Sequence, residues 1–159
     1  MSLEMISRLL GNCMEVKFNG ILKIRNSPEN TIKFLVDGER ISECIPDSSD
    51  FARLSEKDFS VKVKMGVGFI NGKFEIKYSI SNITTEHAEY SIEWEGMGNS
   101  ARILLSLDLR GAGTLTYVSW KADCAFSGIV TGMGEPTIKS IASNYINSIT
   151  KNISEKLNG

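Results

Sequence analysis

The single histidine of the chain, His87, is the first residue to test for catalysis. A catalytic histidine needs an orienting carboxylate and a nucleophile, both within a cleft. The sequence guarantees only Glu86 and Glu89 as close neighbours, and the segment lies between two predicted strands, where we expect it to be exposed. We therefore predict no Ser-His-Asp chemistry and no catalytic role for His87.

Three glycines, Gly66, Gly68 and Gly72, are spaced G-x-G-x-x-x-G. A dinucleotide-binding loop has the spacing G-x-G-x-x-G and is followed by a helix whose N-terminus faces the phosphate. Here the spacing differs and a strand pattern follows. We interpret these glycines as architectural, at a bulge or a close backbone contact near a hairpin.

Cysteines Cys13, Cys44 and Cys124 are odd in number, widely spaced and without a C-x-x-C pair. This pattern does not predict a disulfide framework. One histidine in the whole chain is too few for an ordinary Cys/His metal site. Cys124 lies in an apolar strand and is interpreted as a small buried hydrophobic residue. We predict neither a metal nor a cofactor.

The composition is that of one soluble domain: 159 residues, 42% hydrophobic, 23% charged, net charge −1. Acidic and basic residues are interspersed, so no basic patch predicts nucleic-acid binding. No segment approaches ~18 consecutive apolar residues, and the N-terminus is too short and too polar for a secretory signal. We expect a reduced, cytoplasmic protein.

A long helix near the C-terminus, predicted over residues 128–157, organises the rest of the chain. Pro136 suits its first turn, because the N–H that proline lacks would have no partner there; a looser turn is expected over residues 128–134. Its apolar residues recur at steps of three and four and form one stripe. They are Ile138, Ile141, Ala142, Tyr145, Ile146, Ile149, Ile153 and Leu157.

Almost everything upstream has the period of two that is typical of strands. The seven predicted strands span about residues 14–25, 50–55, 59–69, 73–80, 89–95, 103–109 and 114–126, and two short helices, 28–36 and 39–44, follow the first. Asn71-Gly72 is predicted as a two-residue hairpin turn. Tight turns favour antiparallel pairing. The fold class is α+β, a seven-stranded antiparallel sheet curved around the long helix.

The sheet face toward the helix is rich in large rings, and alternation places no Asp or Glu on it. General acid–base catalysis would need a buried titratable group there, so we predict that the protein is not an enzyme. Two interpretations stay open: a filled core, or an apolar cavity where the curved sheet leaves the helix. Tyrosine hydroxyls would orient a ligand in such a cavity. Its candidate residues are Met65, Phe69, Phe74, Tyr78, Trp94, Leu105 and Trp120.

Several local motifs resemble the carbon monoxide dehydrogenase CoxG family of the START-like, or SRPBCC, superfamily. They are the Glu-Cys-Ile-Pro turn at residues 43–46, the glycine-rich block 61–75, Trp-Glu-Gly-Met-Gly at 94–98, the strand segment 118–123 and the helix 128–157. The resemblance implies a helix-grip domain over residues 14–158. Residues 1–13 would then be an extension, partly a cloning remnant.

The resemblance implies a carrier of a hydrophobic small molecule, lipid or quinone-like, that accompanies a molybdenum hydroxylase of the carbon monoxide dehydrogenase type. Such proteins are implicated in recruiting that enzyme to the membrane, so contact with the inner membrane face stays open. Some members continue into a membrane-anchoring segment where this chain ends, and we expect no direct anchoring here. The alternatives are an adaptor with a filled core and no ligand, and a cyclase- or hydrolase-like enzyme.

Overall fold

Seven strands and one long helix make up most of the chain. The structure, a computed structural model, describes residues 13–67 and 70–158. The strands are β1 (Met14–Ile24), β2 (Ser48–Arg53), β3 (Asp58–Val67), β4 (Ile70–Ser81), β5 (His87–Gly96), β6 (Asn99–Ala112) and β7 (Leu115–Gly128). The helices are α1 (Pro28–Leu35), α2 (Gly38–Ser42) and α3 (Glu135–Leu157), with a 3₁₀ helix (Ile129–Met133) before α3.

The strands form one antiparallel sheet in the order β1-β7-β6-β5-β4-β3-β2. The two short helices carry the chain from β1 at one edge to β2 at the other. The remaining strands then return across the sheet as a series of hairpins, and β7 closes the circuit beside β1. The predicted fold class is confirmed, including the two short helices and the long C-terminal helix.

Local capping explains where the two short helices begin. The Ser27 side chain accepts a hydrogen bond from the Asn30 N–H at 3.1 Å, and Pro28 occupies the first turn of α1. Asp37 caps α2 in the same way, since its carboxylate accepts from the Arg40 N–H at 3.2 Å. Short polar side chains at these positions satisfy N–H groups that a helix leaves free. The predicted start of α1 is confirmed.

The β3–β4 hairpin differs from its prediction. Gly66 pairs with Asn71 and Val67 with Ile70, so Asn71-Gly72 lies inside β4 and the predicted turn there is wrong. The connection falls at residues 68–69, outside the described residues. The alternating pattern cannot separate the two registers, because both pair inward-facing residues with each other. In the observed register Gly72 has φ of 140° and lies against Met97 of the β5–β6 turn.

Helix α3 is anchored at both ends. Its N-terminal Ile138 and its C-terminal Ile153 and Leu157 are buried. At the C-terminal end, the Asn152 side chain donates to the Cys44 carbonyl and the Asn26 side chain donates to the Leu157 carbonyl, each at 2.9 Å.

At the other end, the 3₁₀ helix joins α3 to the sheet. The Asn99 side chain accepts from the Val130 N–H at 2.6 Å and donates to the Met97 carbonyl at 3.2 Å. Asn99 is only 6% exposed and Val130 only 3%. This buried amide therefore ties the start of the helical segment to the β5–β6 turn.

Within residues 13–67 and 70–158, no helix combines the length and the apolar character that crossing a bilayer requires.

Replacing Asn99 with alanine should destabilise the fold. The change leaves the buried Val130 N–H without its acceptor, which costs about 1–3 kcal/mol of unfolding free energy. Urea unfolding measures the effect. Asn19, exposed on β1, is the matched control, and Asn19→Ala should change the free energy by less than about 0.5 kcal/mol. Equal losses in both variants would contradict the anchoring role of Asn99.

Candidate functional site

A cavity of about 300 Å³ lies between the inner face of the sheet and α3. Small-molecule pockets in proteins span roughly 300–1,000 Å³, so this one is at the small end of that range. One wall comes from β1 and β3–β7, another from α3, and Leu35, Ile41 and Ile45 contribute from the short helices and the loop after them. The interior of the protein is therefore not filled.

The middle of α3 faces this space. Between the buried ends of the helix, the residues of its apolar stripe are only half-buried and line the cavity: Ile141, Ala142, Tyr145, Ile146 and Ile149. The stripe that periodicity identifies as core therefore divides into two buried ends and a middle segment that stands away from the sheet.

Five of the seven candidate ligand-binding residues lie on the cavity wall: Met65, Tyr78, Trp94, Leu105 and Trp120. Phe74 lies outside it. Its ring stacks on Trp94 with centroids 4.6 Å apart and is 2% exposed, so it backs the wall. Phe69 lies outside the described residues.

Trp120 is packed tightly against β1. A Cβ added to Gly20 would lie 2.8 Å from Cζ2 and 2.9 Å from Nε1 of the indole. Glycine at this position therefore leaves room for the indole, which covers the inner surface of β1 and forms part of the cavity wall.

Tyr78 and Tyr90 do not offer free hydroxyls to the cavity. Tyr78 donates to the Gly38 carbonyl at 2.6 Å, and Tyr90 donates to the Leu35 carbonyl. Burial raises the pKa of both phenols well above the ordinary value, so both remain protonated donors. Their rings, with centroids 6.1 Å apart, connect β4 and β5 to α1 and α2. These hydroxyls hold the short helices in place.

Tyr145 is the hydroxyl that sequence reasoning missed. It lies on the cavity-lining part of α3, and its buried oxygen has no hydrogen-bond partner in the structure. Burial, and then the charge on Asp47, raise the pKa of Tyr145 to about 12, so the phenol is neutral at physiological pH. The available signal was a tyrosine in an otherwise aliphatic stripe, which periodicity alone does not distinguish from one more apolar residue.

No described residue of the cavity wall is Asp, Glu, Lys, Arg or His. Apart from the tyrosines, the ionisable group there is Cys124, and burial raises the pKa of its thiol to about 12, so it is not a thiolate nucleophile. The described residues also contain no group of three potential metal ligands. The described wall can thus bind by burial of apolar surface, while acid–base catalysis has no group to use.

His87 lies away from the cavity, at the start of β5. Its Nε2 is 2.9 Å from Glu89 Oε2 and its Nδ1 is 2.7 Å from Asp108 Oδ1 on the neighbouring strand. Hydrogen bonds from the ring to Glu89 and to Asp108 raise the pKa of His87. Both nitrogens are occupied by carboxylates, so the cluster is a surface ion pair rather than a base with a nucleophile.

Comparison with known proteins agrees with this architecture. The sequence profile of CoxG, a family described as one of the subunits of carbon monoxide dehydrogenase, matches residues 20–158. A conserved protein from Geobacillus kaustophilus superposes with a TM-score of 0.83 at 18% identity, over 89% of this chain and 95% of that one. A START superfamily protein from Mycobacterium smegmatis gives 0.71 at 11% identity, over 89% and 96%. At these identities the two structures establish the fold alone. A search of curated proteins finds no match.

Gly20→Ala should disturb the cavity wall at Trp120. The new methyl would overlap the indole, and relieving the overlap should cost about 1–3 kcal/mol of unfolding free energy. Thermal unfolding and near-ultraviolet circular dichroism of the tryptophans measure both effects. Gly66→Ala is the control, because its Cβ would meet only Asn71 Oδ1, at 3.7 Å. Unchanged spectra and stability in Gly20→Ala would contradict the packing described.

The pKa of His87 should exceed 6.5 in the folded protein and fall in Glu89→Gln and in Asp108→Asn. Because the chain has one histidine, an NMR titration of its ring resonances reads this pKa directly. A raised folded-state pKa contributes stability that is complete below the unfolded value, ~6.5, and is lost as pH rises through the folded value. Urea unfolding should therefore show wild type losing stability relative to His87→Gln over that interval.

Proposed function

The chain belongs to the carbon monoxide dehydrogenase CoxG family, and on that premise we propose that it is a non-catalytic module that binds a hydrophobic small molecule, lipid or quinone-like. The proposed module is accessory to a molybdenum hydroxylase of the carbon monoxide dehydrogenase type. The observation that carries the binding role is the uncharged cavity of about 300 Å³ under α3.

The size and chemistry of the cavity support this role. A cavity of roughly 150 Å³ holds one benzene, so one of about 300 Å³ accommodates about twelve carbon atoms. Each buried CH₂ contributes about 0.8 kcal/mol, which is enough to offset the entropy of binding for a molecule of that size. A longer lipid would bury one segment in the cavity and leave the rest outside it.

The enzyme partner in this proposal rests on the family description. A carrier of this kind would work in the cytoplasm and exchange its ligand at the inner membrane face, where hydrophobic molecules are concentrated. The alternative function, an adaptor with a filled core, is less favoured because the space under α3 is open. An adaptor that uses the outer surface and needs no ligand remains the competing proposal.

Filling the cavity should abolish ligand binding while preserving the fold. Ala142 lines the cavity, so Ala142→Phe would place a ring in the space that the ligand needs. Mass spectrometry of the purified protein, first native and then after solvent extraction, measures the bound molecule. Wild type should carry a reproducible hydrophobic compound and Ala142→Phe should not. Trp94→Ala and Trp120→Ala, which remove wall surface, should weaken retention.

Asn144→Phe is the matched control, since Asn144 is exposed on the outer side of the same helix. It should retain the compound at wild-type occupancy. Equal occupancy in Ala142→Phe would contradict binding in this cavity. A clean apo mass for wild type, with no uptake of added quinones or fatty alcohols, would instead favour the adaptor.

A further inference from the structure

The hydroxyl groups of the cavity wall are not equivalent. Four described residues of the wall carry one: Tyr78, Tyr90, Tyr145 and Thr150. Three of these donate to backbone carbonyls, since Thr150 also bonds to the Asn147 carbonyl at 3.1 Å. Tyr145 is the exception, with a buried oxygen and no partner. Buried polar groups are nearly always hydrogen-bonded in native proteins, so an exception calls for an explanation.

The other buried hydroxyl without a partner, that of Thr31 on α1, does not line the cavity. Tyr145 differs because its side chain is part of the cavity wall, at the middle of the α3 segment that stands away from the sheet. A molecule in this space would lie against the Tyr145 ring and would bring the hydroxyl within reach of its own polar atoms.

Resting on the proposed function, we infer that the Tyr145 hydroxyl is the polar anchor of the site and hydrogen-bonds to the oxygen of an uncharged hydrophobic ligand. A ketone, an ester or an alcohol on a hydrocarbon body has the chemistry required. The hydroxyl can donate to a carbonyl or accept from an alcohol. A single such bond in an otherwise apolar cavity would fix which end of the ligand enters and how it is oriented.

The electrostatics of the cavity argue against an anion. No Lys, Arg or His of the described wall would compensate a carboxylate or a phosphate. The charge of Asp47 acts on the Tyr145 hydroxyl and would repel a negative group bonded there. Burying an ion without a partner is far more costly than burying a neutral oxygen that is hydrogen-bonded.

Three naphthalenes with the same substitution position and the same number of carbon atoms test the inference. Ethylnaphthalene has no polar atom, acetylnaphthalene adds a neutral ketone oxygen, and naphthylacetate adds a carboxylate. Their affinities are measured by quenching of tryptophan fluorescence and by calorimetry, with purified wild type after ligand extraction. Tyr145→Phe removes one oxygen atom and keeps the ring. Tyr117→Phe is the control, because Tyr117 lies outside the cavity wall, beside Arg110.

We expect Tyr145→Phe to lower the ratio of acetylnaphthalene to ethylnaphthalene affinity by roughly three- to tenfold, the worth of one hydrogen bond. Tyr117→Phe should leave this ratio unchanged, and naphthylacetate should bind wild type far more weakly than the ketone at neutral pH. An unchanged ratio in Tyr145→Phe, with both neutral probes bound, would overturn the anchor and leave the proposed function standing.

Tight binding of naphthylacetate to wild type would overturn the uncharged ligand class. Failure of both neutral probes to bind wild type would overturn the proposed function and the anchor together. Binding of ethylnaphthalene to Tyr145→Phe also shows that this variant is folded, so a loss confined to the ketone is attributable to the hydroxyl.

Discussion

The attachment of α3 at its two ends, and not at its middle, is the constraint on which the rest of the structure depends. Ile138 at one end and Ile153 and Leu157 at the other are buried, and amide side chains bond both ends to the sheet side of the molecule. A rigid helix held in this way spans the concave face of the sheet as a bridge. The depth of the curved sheet beneath its middle then becomes a cavity rather than a core.

Polar groups in the interior follow the same division. The phenol of Tyr78 is bound to the carbonyl of Gly38 and that of Tyr90 to the carbonyl of Leu35, which fastens α1 and α2 over the sheet. Phe51, Phe59, Tyr78 and Tyr90 continue as stacked rings from β2 to β5. This half of the interior is packed and hydrogen-bonded. The open half contains Tyr145, whose hydroxyl has no partner within the protein.

Sequence reasoning predicted the candidate wall better than it predicted contacts between rings. Trp94 and Phe74 both belong to inward-facing sets on neighbouring strands, and alternation treats them alike. In the structure the Phe74 ring stacks behind Trp94, so one residue lines the cavity and the other supports it. The β3–β4 register failed for a related reason. Moving the turn from residues 71–72 to 68–69 keeps every inward residue inward, so hydrophobic pattern carries no information about which turn is used.

The sequence by itself determined the elements, their order and the face that each turns inward, because periods of 2 and 3.6 residues are properties of single strands and helices. It also determined that the inward faces carry no carboxylate or amine. Only the tertiary structure decided that the space under α3 is open, because that volume is set by the distance between helix and sheet, and the buried ends fix that distance. The same distance leaves the Tyr145 hydroxyl without a partner, while two other tyrosines reach carbonyl groups far away in the sequence.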